Sequence, residues 1–218
     1  MPQVKKKKRE EYEEYDEFYD DLFFFIDRAV STLYRRLIAS FGKLKNIESE
    51  EEIIRRVAEV YVEVDDTTRR YLLMIAKKVY KEVADYFELE CDVNFITELW
   101  VLLILEDYDP ITKYVYVHEV DRKRARLVEA MIASKDKAKE VDNGLKAWSK
   151  QAKQYADNVA DKAIEDLFEN NNVERVMWVT ERDSKVCNDC DELDGSVYPL
   201  DSVPSKPHYG CRCYKVPV

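Results

Sequence analysis

Two short turns near the end of this chain carry soft side chains at one shared spacing. They are Cys187-Asn188-Asp189-Cys190 and His208-Tyr209-Gly210-Cys211, with Arg212-Cys213 directly after the second. Residues 191–207 lie between them. A two-residue gap lets both side chains of a tight turn face one point, and a second such turn completes a tetrahedron around an ion. Gly210 gives the second turn a residue that tolerates positive φ. Five candidates, Cys187, Cys190, His208, Cys211 and Cys213, compete for four places. Thiolate and imidazole suit a borderline-soft ion without redox chemistry, so the expected metal is a structural zinc, one per chain.

The surroundings of these residues make a staple necessary. After Asn172 the helical texture stops: Glu174 to Thr180 reads as a strand, and Pro199, Pro204, Pro207 and Pro217 punctuate the rest. A segment of this size buries too little apolar surface to stand alone. Apparent binding free energies at structural zinc sites, on the order of 10–16 kcal/mol near neutral pH, offset most of that deficit. A disulfide framework is disfavoured because no secretory signal supports it. A redox Cys-x-x-Cys is disfavoured because the strand-to-helix setting is missing. Cys91 stands alone and reads as a core residue, and His118 as structural. Asp183, Asp191, Glu192 and Asp194 read as turn and capping residues, with Asp194-Gly195 as a hairpin signal.

Upstream, apolar residues step by three and four. Tyr12, Tyr15, Tyr19, Leu22, Ile26, Ala29, Leu33, Leu37 and Phe41 predict a helix that stops at Gly42, widened by Phe23, Phe24 and Phe25. A second helix is expected from Ser49, with Glu52 closing a capping box. Asp65-Asp66-Thr67 reads as an interruption that caps a third. Asp92 is expected to cap a segment from Phe95 to Leu105 that is buried all round. Asp109-Pro110 marks a turn, and Tyr114 to His118 fits a short strand, a loop or a helix start. A helical stretch then runs from Val120 to Asn170, broken or kinked at Asn143-Gly144. The expected fold class is therefore mainly α: a basic tail at 1–10, a bundle of long helices at 11–172, and a small α+β zinc-knuckle-like module at 173–218.

Charge narrows the function. The net charge is −10, which opposes a general affinity for nucleic acid. Between Glu174 and Val218, six Lys and Arg stand against eight Asp and Glu, so the tail has no basic footprint. The dense basic run Lys5, Lys6, Lys7, Lys8 and Arg9 is followed at once by acidic residues, and reads as a solvated tail. A phosphate-contacting arm on a nucleic-acid-binding zinc protein is the alternative. No apolar run is long enough to span a bilayer. There is no Gly-rich phosphate loop and no nucleophile elbow. With five soft ligands the metal position looks closed, so an enzyme is not expected.

One ordered set of residues carries a family resemblance. Trp178, Thr180, Arg182-Asp183, Lys185-Val186-Cys187, Cys190 and Leu193-Asp194-Gly195 are followed by Tyr198, Pro204, Pro207-His208 and Cys211-Arg212-Cys213. Over residues 174 to 216 this resembles the C-terminal domain of the Mu F-like minor head proteins of tailed phages. That family has Pro directly after the His, whereas here Tyr209 follows and Pro207 precedes. The resemblance implies a minor capsid or head-morphogenesis protein, assembled in the host cytoplasm and resident in the virion head. It also implies contacts with portal or major capsid protein and a link to genome packaging or delivery.

Overall fold

In the computed structural model, residues 12–106, 115–181, 186–208 and 210–218 are described. Three long helices set the frame: α1 at Glu14–Gly42, α2 at Glu50–Tyr86 and, further on, a helix at Lys137–Asn170. Their buried faces are the stripes that the sequence marks. On α1 these include Tyr19, Leu22, Ile26, Leu33 and Leu37; on α2, Ile53, Val57, Val60, Val64, Leu72, Ile75 and Val79. Ser49 caps α2 as expected, its Oγ accepting from the Glu52 amide at 3.1 Å. Phe23 and Phe25 pack against the core, but Phe24 is 67% exposed, so only two of the three phenylalanines widen the stripe.

Asp65-Asp66-Thr67 does not end α2, which runs on as one helix of 37 residues. The two carboxylates are used sideways. Asp65 pairs with Arg69 at 2.9 Å and Asp66 with Arg70 at 2.7 Å, both one turn on, and Asp65 also accepts from the Tyr116 hydroxyl at 2.6 Å. Beside them Thr68, fully buried, accepts from the Trp148 indole N–H at 3.0 Å.

The next helix, α3 at Glu98–Glu106, is not buried all round. Val101 and Leu105 face inward, while Leu99 and Leu103 are 65% and 56% exposed. A short helix at the edge of a bundle buries one face only, and α3 is held there by the Trp100 indole N–H donating to Asp166 at 2.8 Å. Thr97 caps its first turn by accepting from the Trp100 amide; Asp92 instead accepts from the Asn94 amide in the preceding turn. Cys91 sits in that loop between polar neighbours and is exposed, not a core residue.

The expected turn at Asp109-Pro110 and Tyr114 lie outside the described residues. From Tyr116 the chain is helical: α4 covers Tyr116–Ala133, with Tyr116 and Glu119 buried and His118 exposed between them. The long stretch breaks at Ser134 to Asp136 and not at Gly144. Asp136 caps α5, Lys137–Asn170, by accepting from the Lys139 amide at 3.0 Å. Gly144 is interior to α5 because α4 crosses there: a Cβ would stand 3.1 Å from the Leu127 side chain. α5 lies at the centre, touching α1, α2, α3 and α4.

After α5 the chain turns through Asn172 at φ 55° into β1, Arg175–Val179. The short helix α6, Asn188–Leu193, leads to β2 at Val197–Pro199, a single 3-10 turn follows at Leu200–Ser202, and β3 is Tyr214–Pro217. The sheet is antiparallel in the order β2-β1-β3, with Met177 opposite Val197 on one side and Val216 on the other. The sheet leans on the helices: Met177, Val179, Tyr214 and Val216 belong to the same continuous core as α1, α2 and α5. Polar ties reinforce it. The Tyr19 hydroxyl donates to the Lys215 carbonyl at 2.6 Å while its ring stacks on Tyr214 at 3.9 Å, and Tyr214 and Lys215 reach Asp16 and Glu165.

Replacing Thr68 by Val leaves the buried Trp148 N–H without its acceptor at nearly constant volume. Such an orphaned donor costs about 1–3 kcal/mol. Chemical denaturation of T68V is expected to show a loss of that size with an unchanged m-value.

Candidate metal centre

The first ligand turn is a helix start. Cys187 is the N-cap of α6, in extended backbone, and its sulfur accepts from the Cys190 amide at 3.4 Å. The two-residue gap thus puts one thiol at the cap and the other in the first turn above it. The second turn is tied by the Cys211 amide donating to the His208 carbonyl at 3.3 Å. Gly210 has φ 71°, the conformation for which glycine is suited, and a Cβ there would meet nothing, so the requirement is purely one of backbone.

The turns converge. Cys190 Sγ stands 3.5 Å from His208 Nε2 and 3.6 Å from Cys211 Sγ. Cys187, Cys190 and His208 form one group whose ligand atoms lie within 4.8 Å of one another, and Cys190, Cys211 and Cys213 form another. Cys190 is common to both. A tetrahedral ion with metal–sulfur bonds of about 2.3 Å holds its ligand atoms roughly 3.5–3.8 Å apart. The Cys190 separations meet that requirement. The cluster could hold a metal ion. The cavity between the turns is about 40 Å³, room for an ion and far below the several hundred Å³ of small-molecule sites.

The thiols also act on one another's protonation. The Cys190 amide holds the Cys187 thiol below the usual range. Burial, and then the hydrogen bond to Cys187, push the Cys190 thiol up to about 12. The hydrogen bond with Cys213 and then burial push Cys211 higher still, an effect that the nearby Lys206 ammonium opposes. Packed thiols resist collective ionisation, and a divalent cation is what makes several thiolates tolerable in one place.

The wall behind the sulfurs comes from β1. Trp178 projects from the face opposite Met177 and Val179 and packs on Cys190, Cys211 and Cys213. Thr180 follows: its hydroxyl donates to the Cys190 carbonyl at 2.9 Å and receives the Cys213 thiol at 3.5 Å. Its amide donates at 2.8 Å to buried Asp194, which also accepts from the Tyr12 hydroxyl at 3.2 Å. Asp194 is therefore a buttress for the strand end. Asp191 and Glu192 are exposed, and Asp183 lies outside the described residues, as does the Lys5 to Arg9 run. His118 takes no part in the Cys/His groups among the described residues.

Four neighbours of the cluster escape a reading by spacing: Trp178, Thr180, Asp194 as a buttress, and Lys206, whose ammonium acts on Cys211. Strand alternation at β1 does signal Trp178, since it places Trp178 on the face away from Met177. Thr180 and Asp194 belong to the ordered set of residues 174 to 216, but nothing local marks the part that they or Lys206 play here. Comparison with known protein families, functionally characterised proteins and solved structures returned no match.

Burial and thiol–thiol hydrogen bonds push the Cys190 and Cys211 thiols up, so a divalent ion that binds them is expected to displace their protons. Metal affinity is expected to fall as pH is lowered, with proton release on binding that a weakly buffered calorimetric titration measures.

Proposed function

We propose that this chain is a non-enzymatic minor head protein of the Mu F-like kind, in which one zinc ion staples the tail beside the helical bundle. The observation that carries the reading is the approach of Cys190 to both His208 and Cys211, at 3.5 and 3.6 Å, from two turns that the sequence separates. Zinc is favoured because the donors are thiolate and imidazole, the site is largely buried, and no redox or open-coordination chemistry is called for. A shell filled by protein ligands leaves no position for a substrate, which supports a structural role.

The role in a viral head leans on the ordered resemblance across residues 174 to 216. The fold is compatible with docking. No helix of the described residues is long and apolar enough to cross a membrane, and exposed Phe24, Leu99 and Leu103 offer apolar contacts from α1 and α3. Portal and major capsid proteins are the partners of choice, and the virion head the location. Nucleic-acid binding has less support, given six cationic against eight anionic residues in the tail.

Purified native chain is expected to carry about one zinc ion per chain by elemental analysis. C190S should lose it, since Cys190 belongs to both ligand groups, whereas C91S should keep it. The head assignment is checked by immunodetection of the chain in purified heads of the virus that encodes it; its absence there would end that assignment while leaving the zinc staple standing.

A further inference from the structure

We infer that Lys206 is the positioning residue of the metal centre: its ammonium plugs into a socket between α1 and α5 and so fixes the Lys206-Pro207-His208 arm that delivers the imidazole. The inference rests on the zinc reading above and adds that the helical bundle, which supplies none of the donors, sets where His208 stands.

The socket is built by the helices alone. Lys153 of α5 bridges Asp157, at 2.7 Å, and Asp27 of α1, at 2.9 Å. Asp161 lies one turn on from Asp157, and Lys206 is its ion-pair partner at 2.9 Å. The Phe23 ring of α1 closes the other side, 5.6 Å from the Lys206 ammonium. The Lys206 side chain is only 13% exposed, which is rare for lysine and signals a seat rather than a surface contact.

The arm needs such a seat. Among the described residues, 204–207 form no backbone-to-backbone hydrogen bond and no helix or strand. Val203 packs on the core at its start; Lys206 is the charged anchor at its end. Pro207 then transmits the placement. Its ring fixes its own φ and biases Lys206 to extended backbone, which narrows the backbone path from Lys206 to His208. A side chain that orients a ligand without touching the ion typically changes metal affinity by about 10–100-fold when it is removed.

The test uses the full-length chain loaded with Co²⁺ in place of zinc. Thiolate-to-cobalt absorption reads the ligand set, and chelator competition reads affinity. K206M is expected to weaken binding by about 10–100-fold, K206R to restore most of it, and D161N to mimic K206M with no further loss in the double variant. Y19F is the control: it removes the bond to the Lys215 carbonyl and should lower thermal stability without changing cobalt affinity. Should K206M fail to fold, D161N carries the same comparison. Wild-type affinity in K206M or D161N, or an equal loss in Y19F, overturns the positioning role alone. A wild-type chain that binds no cobalt overturns the zinc reading and this inference with it.

Discussion

A strand with two dry faces organises this molecule. β1 turns Met177 and Val179 into the helical core and Trp178 into the sulfur cluster. The strand therefore cannot shift by one residue without moving an indole into the bundle and a valine onto the thiols. That register fixes Thr180 at the strand end, where it holds the Cys190 carbonyl and the Cys213 sulfur. The sheet thus shares one core with the helices while the Cys/His turns pack on Trp178. A metal in such a module completes an arrangement that the bundle has already begun.

The long helices were legible because their stripes repeat over many turns. Ser49 with Glu52, and Gly42, marked two of their ends. The failures came where a polar residue had a tertiary use that composition cannot reveal. Asp65 and Asp66 look like a stop, but their partners Arg69 and Arg70 and the distant Tyr116 keep α2 whole. Gly144 looks like a breaker, but the reason for it lies on α4, at Leu127. The segment from Phe95 to Leu105 is apolar enough to be central, and only the crossing of other helices decides that Leu99 and Leu103 stay outside.

The Cys/His cluster was legible for a different reason. Metal donors must come from a few residue types at spacings that tight turns permit, so chemistry restricts the choice before any fold is known. The buttresses have no such restriction. Asp194 meets Tyr12 across 182 residues, and Lys206 meets an aspartate from a helix that reads, by itself, as an ordinary row of exposed charges. Spacing finds the cluster and is blind to the distant residues packed around it.

The ties between the two ends of the chain carry a consequence for how it is made. Tyr12 bonds to Asp194 and Tyr19 to Lys215, separations of 182 and 196 residues. Loops of that length close late, after local helices have formed. During synthesis Tyr12 and Tyr19 are made early and meet these partners late, whereas Tyr15 and Phe18 beside them find Tyr86 and Phe87 once α2 has formed. Until the sheet has been made, Tyr12 and Tyr19 lack the cover that Asp194, Tyr214 and Lys215 provide, and they are the rings of the nascent polypeptide that a chaperone would meet.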